Sequence, residues 1–427
     1  YILLSKLAYM ETYLNFIVIQ TEPIGAIIMK MITEKIADSM SHPLEDASHN
    51  SHQQDREETP SCQSKEISGI ANRDPIEPLL LPIHELEKSV WLKDVCSSCM
   101  GCISVCPAGT LAYDHERNRP HQITSCVDCK ACLDVCPRIP ANNQNISSQI
   151  LGPCISIKNA KSKIDSIRSQ NGGVATALLT AALDEELVDC ALVMGQDPWS
   201  QRSYPRVVYD AKELKKCAGS KYTSNAILEP LKDLIKCTKN IALVGTPCSV
   251  HAMGLMRRSS NEFAERVAQK VRFVIGLFCF EAYDESVIAD ISKIIGEPAW
   301  RFDGMNIGDG KMTIKLRDGG FRTIPLQHLA EDVKTGCKAC ADFTAKLSDI
   351  SIGRMGSASG MSTVIVRTSE GMGLFDIAED MGLLEVTDGV NVEAIERASR
   401  LKLTKNGIIL SDIFGGRHQY VRSKSER

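Results

Sequence analysis

The chain has 427 residues, 43% of them hydrophobic and 24% charged, with a net charge of −4. That length suggests two or three domains at roughly 150 residues each, and the mild acidity argues against nucleic acid or an anionic membrane surface as partner. The seventeen cysteines fall into tight arrays with metal-ligand spacing, so a disulfide framework is disfavoured and a reducing cytoplasm, where thiolates stay free, is the expected compartment.

Residues 1–40 contain apolar runs at 16–19 and 24–29, but Glu11, Glu22, Pro23 and Lys30 interrupt them. No stretch of ~20 apolar residues is therefore available to span a bilayer. The basic, apolar, small-residue order of a secretory signal is also missing. The segment begins with Tyr1, with Met29 and Met31 further in, and reads either as an amphipathic helix or as sequence upstream of the true start. Residues 41–76 are rich in Ser, His, Asp, Glu and Gln and read as a disordered linker. On such a tether Cys62, His42, His49 and His52 are expected to be solvated rather than a metal site. The expected organisation is a poorly ordered extension at 1–84, a small module at 85–147, a larger domain at 148–400 and a tail at 401–427, frayed beyond Leu410.

The module holds two arrays of one design. Cys96, Cys99, Cys102 and Cys106, followed by Pro107, form a C-x2-C-x2-C-x3-C-P run, and Cys126, Cys129, Cys132 and Cys136, followed by Pro137, repeat it. A tight loop brings three thiolates to one cluster, while the fourth cysteine crosses to the other cluster, as in two-cluster ferredoxins. Cys96, Cys99, Cys102 and Cys136 are therefore assigned to one 4Fe-4S cluster, and Cys126, Cys129, Cys132 and Cys106 to a second. Paired zinc sites are the competing reading, but zinc motifs do not call for three cysteines at this spacing with a terminal Cys-Pro and an internal duplication. Two such clusters make a one-electron wire.

Beyond a connector at 141–148, apolar runs bounded by turn residues predict strands at 188–194, 241–244, 271–278 and 363–366. Helical patterns lie at 175–185, 225–236 and 281–295, and Asp318-Gly319-Gly320 centres a β-hairpin over 312–326. The alternation predicts an α/β core around a largely parallel sheet with an antiparallel excursion, behind an α+β bacterial-ferredoxin-like module.

A third set of cysteines is scattered through this core. Cys248 closes Gly245-Thr246-Pro247-Cys248 after one predicted strand, Cys279 closes Gly276-Leu277-Phe278-Cys279 after another, and Cys337 and Cys340 form a C-x2-C pair. Ligands gather beyond the carboxyl ends of strands in open α/β sheets, so the four can converge on a third cluster; buried packing cysteines are the competing reading. Backbone N–H groups from Asn171 to Val174 at a helix start suit a pyrophosphate, or else form a plain turn and cap. Lys221 is either a phosphate contact or a solvated charge. His251, three residues after Cys248, either tunes a cluster and relays a proton or simply packs in a helix.

The segment from about 170 to 386 resembles the beta subunits of coenzyme F420 hydrogenases and dehydrogenases. The likeness is carried by Ser169-Gln170-Asn171-Gly172-Gly173, Gly219-Ser220-Lys221-Tyr222-Thr223, the Cys248 and Cys279 blocks, Gly336-Cys337-Lys338-Ala339-Cys340, Asp349-Ile350-Ser351-Ile352-Gly353 and Ser362-Thr363-Val364-Ile365-Val366. With its ferredoxin module the chain is similar to the electron-input subunits of F420-dependent dehydrogenases in some methanogenic archaea and their relatives. The resemblance implies an FAD beside one proximal 4Fe-4S cluster, held by Cys248, Cys279, Cys337 and Cys340, with reduced coenzyme F420 as the hydride-donating substrate. It implies flavin contacts at Asn171, Gly172, Gly173, Val174, Thr176, Gly219, Ser220, Lys221, Tyr222 and Thr246. It further implies an electron-accepting partner complex, such as the peripheral arm of a membrane-bound dehydrogenase on its cytoplasmic face.

Two positions depart from the family's pattern. Met361 stands where a Trp is usual, and Arg354 replaces a small residue; both bear on the choice of hydride donor. Arg354 either grips an anionic tail of the coenzyme or pairs with a surface carboxylate. No acid or base is singled out, because hydride transfer obliges none. The competing functions are a ferredoxin-dependent reductase running the wire backwards, as in 7-hydroxymethyl chlorophyll a reductase, and a flavin-free electron-transfer protein. The acidic residues near the N-terminus do not suit the transit segment a chloroplast reductase would carry.

Overall fold

Strands Ile241–Gly245 and Val271–Leu277 are buried along most of their length, which requires cover on both faces of the sheet they belong to. The structure is a computed structural model describing residues 81–143, 149–165, 171–223 and 226–414, all within one unit, Ile76–Arg427. The readings of residues 1–40, of the linker with its histidines and Cys62, and of Ser169 and Gln170 lie outside the described residues.

The strands in chain order are β1 Leu111–Asp114, β2 Arg119–Gln122, β3 Ser156–Ser162, β4 Cys190–Gln196, β5 Ser203–Val208, β6 Ile241–Gly245 and β7 Val271–Leu277. They continue as β8 Phe302–Gly308, β9 Lys311–Leu316, β10 Phe321–Pro325, β11 Ile350–Gly353, β12 Ser362–Val366 and β13 Leu384–Thr387. Eight of them form one sheet in the order β13-β3-β12-β11-β7-β6-β4-β5. Only β11, β7, β6 and β4 run parallel; β5 at one side, and β12, β3 and β13 at the other, pair antiparallel. The expectation of a largely parallel sheet is thus corrected to a parallel centre with antiparallel flanks. The physical reason lies in the connections. β4 turns directly into β5 through a short loop, and β11 into β12 through another, and a short loop can join only antiparallel neighbours.

Alternation along the central strands splits the core in two. Ala191, Val193 and Ala242 face a cluster with helices Val174–Asp184 and Ser369–Asp380. Cys190, Leu192, Ile241 and Leu243 face the other side, where helix Pro247–Arg258 packs together with Cys99, Val105, Ala131 and Val135 of the cysteine module. The module is thereby built into the sheet's second face.

The hairpin appears as β9 and β10, whose turn has Gly319 at φ 88° and the Asp318 carboxylate accepting from Gly320 N at 2.9 Å. β8 joins them in a separate three-stranded antiparallel sheet inserted between β7 and β11. The helix expected over 225–236 shrinks to Leu231–Leu234, because Pro230 cannot continue a helix from the residues before it. At the C-terminus the chain is helical from Val392 to Phe414, past the point where fraying was expected.

Asp349 ties the halves together. Its carboxylate accepts both guanidinium nitrogens of Arg257 at 3.0 Å, Val274 N at 2.7 Å and the Thr368 hydroxyl at 3.0 Å. Asp349→Ala is expected to lower the unfolding free energy by about 2 kcal/mol, since it leaves the buried Val274 N–H and the Thr368 hydroxyl without their acceptor. Urea unfolding followed by circular dichroism measures this; a loss below ~1 kcal/mol, the range of exposed pairs, would contradict it.

Candidate metal centre

The two cysteine loops share an unusual backbone. Ser98 and Met100 lie in the left-handed region at φ 58° and 62°, and Asp128 and Lys130 repeat this thirty residues later at 55° and 61°. None is glycine, so each carries strain of the kind retained at functional sites. The curl turns the cysteines of each loop inward, and a short helix, Gly101–Ser104 or Ala131–Asp134, follows it.

All sixteen described cysteines are free thiols. Their mutual influence sorts twelve of them into three groups. Burial pushes the Cys102 thiol far up, helped by Cys136, Cys99 and Cys96. Burial likewise raises Cys136, with Cys99 and Cys96 as neighbours. Burial pushes Cys132 up to about 12, with Cys129, Cys126 and Cys106 beside it. In the third group burial pushes Cys337 up to about 11, alongside Cys248 and Cys340, and raises Cys279, which also feels Cys337, Cys248 and Cys340. Cys340 differs: burial acts to raise it, but Lys402 and Arg138 together bring it below the ordinary thiol value. The groups adjoin in a row, since Cys102 also feels Cys132 and Cys99 feels Cys248.

Each group receives a main-chain N–H on sulfur: Ser98 N to Cys96 at 3.5 Å, Thr110 N to Cys106 at 3.2 Å and Ala282 N to Cys337 at 3.3 Å. Such bonds stabilise a thiolate and tune a cluster's potential. Cys106, Cys126, Cys129 and Cys132 line one cavity, closed by Ile83 and Leu111. Among the described residues no His, Cys, Asp or Glu group is arranged to grip a single metal ion. Four thiols per group, two of the groups built on a C-x2-C-x2-C-x3-C-P run, are a donor set that fits four-iron clusters.

The register of the large sheet brings the remaining motifs to one edge. β6, β7 and β11 end there, β12 begins there, and Gly172 follows β3 at the same edge. Gly172 N donates to the Ser362 hydroxyl at 3.2 Å, and a Cβ on Gly172 would lie 2.5 Å from the Ala160 carbonyl oxygen, which explains the glycine by close packing. Gly173, at φ 70°, starts helix Val174–Asp184 without a side-chain cap, leaving Asn171, Val174 and Thr176 around a helix N-terminus suited to an anion.

The other expected contacts are engaged within the protein. The Lys221 ammonium donates to the carbonyls of Cys217, Ala218 and Gly219, capping helix Ala211–Cys217, with Ser220 in the same turn. The Tyr222 hydroxyl accepts from Ile307 N at 3.1 Å. The Thr246 hydroxyl lies 3.3 Å from the Cys248 sulfur. Arg354 donates to the Ile307 carbonyl at 3.4 Å. The Met361 sulfur accepts from the Thr387 hydroxyl at 3.6 Å. His251 is buried, and burial followed by the charge of Arg138 lowers it to about 4, so it is neutral at pH 7.

Comparison with known families agrees with this geometry. Residues 157–232 match the model described as coenzyme F420 hydrogenase/dehydrogenase, beta subunit N-term, and residues 238–391 its C terminus. Residues 89–137, which contain both quartets, match a 4Fe-4S dicluster domain. An uncharacterised protein of Methanocaldococcus jannaschii is 33% identical over 76% of this chain and 98% of its own length. The chain belongs to the family of coenzyme F420 hydrogenase/dehydrogenase beta subunits. A component of the F(420)H(2) dehydrogenase of Methanosarcina mazei is 30% identical over 67% of this chain and 83% of its own length. Among solved structures, a chain of the F420-reducing [NiFe] hydrogenase complex from Methanosarcina barkeri superposes with a TM-score of 0.59 at 27% identity, covering 62% of this chain and 94% of that one. No helix among the described residues is long and apolar enough to cross a membrane.

Three residues that matter here escape the spacing argument. Arg138, directly after Cys136-Pro137, is buried, donates to the Gly336 carbonyl at 3.1 Å and faces Cys340, Cys248 and Cys337. Lys402 and Asn406 reach the third group from the segment read as a tail; their i, i+4 spacing inside a helical pattern was the available signal. Gly336 is a contact point as well, since a Cβ there would lie 2.0 Å from the Cys96 carbonyl oxygen. Gly336→Ala is expected to cost stability at or beyond the roughly 1–3 kcal/mol of overpacking. Thermal unfolding of the variant reads this, and an unchanged melting temperature would contradict the contact.

Proposed function

We propose that this chain is an iron-sulfur flavoprotein that oxidises reduced coenzyme F420 and forwards electrons one at a time, through three 4Fe-4S clusters, to a partner protein complex. What supports the reading is the gathering of twelve thiols into three groups, with the Cys96 loop packed against Gly336 of the Cys337 loop. Cys126, Cys129, Cys132 and Cys106 would hold the outermost cluster, Cys96, Cys99, Cys102 and Cys136 the middle one, and Cys248, Cys279, Cys337 and Cys340 the innermost. The ferredoxin-like module at 85–147 and the family domain at 148–400 are the working division, with the helix through Phe414 joined to the latter.

FAD supplies acceptance of a hydride and release of its electrons singly. Asn171, Gly172, Gly173, Val174 and Thr176 would hold its pyrophosphate at the uncapped helix start, with Gly219, Ser220, Lys221, Tyr222 and Thr246 as further contacts. Lys221 reaches an anion only by giving up the carbonyls it caps. The two Methanosarcina relatives belong to complexes named for coenzyme F420, which supports the substrate. Their place in such complexes supports an electron-accepting partner, docked peripherally where a membrane complex is involved.

Anaerobic purification with metal and flavin analysis tests the reading. Four irons at each of three sites predict about twelve irons, with one flavin per chain, and the flavin should bleach with reduced coenzyme F420 but not with NADH. A flavin-free protein with full iron would instead make it a bare electron-transfer protein, and bleaching by NADH alone would overturn the substrate.

A further inference from the structure

Helix Val392–Phe414 buries a lysine and an asparagine four residues apart, and so on one face. Lys402 is 2% exposed and Asn406 4%. The Lys402 ammonium donates to the carbonyls of Cys279 at 2.8 Å and Asp342 at 2.7 Å. The Asn406 amide donates to the carbonyls of Cys337 at 3.0 Å and Cys340 at 2.6 Å. Two side chains of one helix thus hold the main chain of three of the four cysteines in the innermost group.

Lys402 has no ion-pair partner among the described residues. The neighbouring groups that can carry negative charge are the sulfurs of Cys340, Cys279 and Cys337, then Asp342. The Asp342 carboxylate is already used by main-chain N–H groups, Thr344 N at 3.1 Å and Lys346 N at 2.9 Å. A buried ammonium served only by neutral carbonyls is costly unless an anion balances it. Four thiolates on an iron-sulfur core are such an anion. Arg138 adds a second buried cation from the ferredoxin-like module, with its guanidinium toward the same thiols.

We infer that Lys402 is a positioning residue that sets the reduction potential of the innermost cluster, and that the C-terminal helix is part of the redox site. The inference rests on the reading that these four thiols hold a 4Fe-4S cluster. Reduction there adds one electron, delivered from the flavin of that reading and passed on to the middle cluster, with no bond made or broken. Net charge and hydrogen bonding around a cluster move its potential, and a fixed positive charge favours the more negative, reduced form. Lys402 therefore holds the innermost cluster at a higher potential than the same thiolates would give without the charge.

The test is a redox titration of the full-length protein, followed by electron paramagnetic resonance with iron counted on the same samples, for wild type, Lys402→Gln and Lys402→Arg. Lys402→Gln keeps a donor for the carbonyls and removes the charge. It should move one midpoint to a more negative potential and leave the other two in place, while Lys402→Arg stays near wild type. Unmoved midpoints in Lys402→Gln at full iron would overturn the inference, as would an equal shift in both variants. Loss of a third of the iron in Lys402→Gln would make the residue a structural requirement of the site and would also overturn the inference. Wild type with only two clusters would refute the parent reading instead.

Discussion

The main chain of Cys96 presses on Gly336 so closely that no side chain fits between them. This contact joins the loop of one thiol group to the C-x2-C loop of another, and the rest of the arrangement depends on it. It makes the ferredoxin-like module part of the core, through Cys99, Val105, Ala131 and Val135 on the sheet's second face. It brings Arg138 onto the Gly336 carbonyl. Lys334 and Thr335 extend the seam, bonding Ser98 at 3.3 Å and Asp94 at 2.7 Å. Single electrons move between sites only where the sites are near and fixed, so a rigid seam serves conduction better than a flexible tether.

The large sheet supplies the other constraint. Its parallel centre sends β6, β7 and β11 to end at one edge, where Thr246, Phe278 and Arg354 follow them. The three-stranded insertion between β7 and β11 returns the chain with Cys337 and Cys340, and Tyr283 bridges to Val333 to hold that return. Scattered cysteines meet because the topology carries them to a common place. Asp349, a residue of a family block, works through the frame rather than the chemistry, binding Arg257, Val274 and Thr368.

The parts of this design that depend on neighbours in sequence were legible in it. The spacing of the two quartets fixes a local loop, and the left-handed residues at 98, 100, 128 and 130 are that loop's backbone form. Helix Val174–Asp184 and the β9–β10 hairpin followed from periodicity and turn chemistry. Strand direction was not legible, because it depends on whether a connection crosses over or turns back. The clamp from Lys402 and Asn406 was hidden for a related reason: it spans more than sixty residues to Cys337 and Cys340, and a polar helix face looks the same whether it meets solvent or a buried loop. The Lys221 ammonium caps a helix in this structure, a use that short-range sequence does not separate from phosphate binding.

If each of the three thiol groups holds a cluster, the clusters are neighbours, since the Cys96 main chain packs against Gly336 beside Cys337. Electron paramagnetic resonance of the fully reduced protein tests it most directly, because paramagnetic clusters this close perturb one another. The account predicts spectra broadened and split by interaction along the row, simplifying when the middle group is disabled by Cys99→Ala. Sharp, independent signals from isolated clusters, or a protein that binds zinc and gives no iron-sulfur signal, would contradict it.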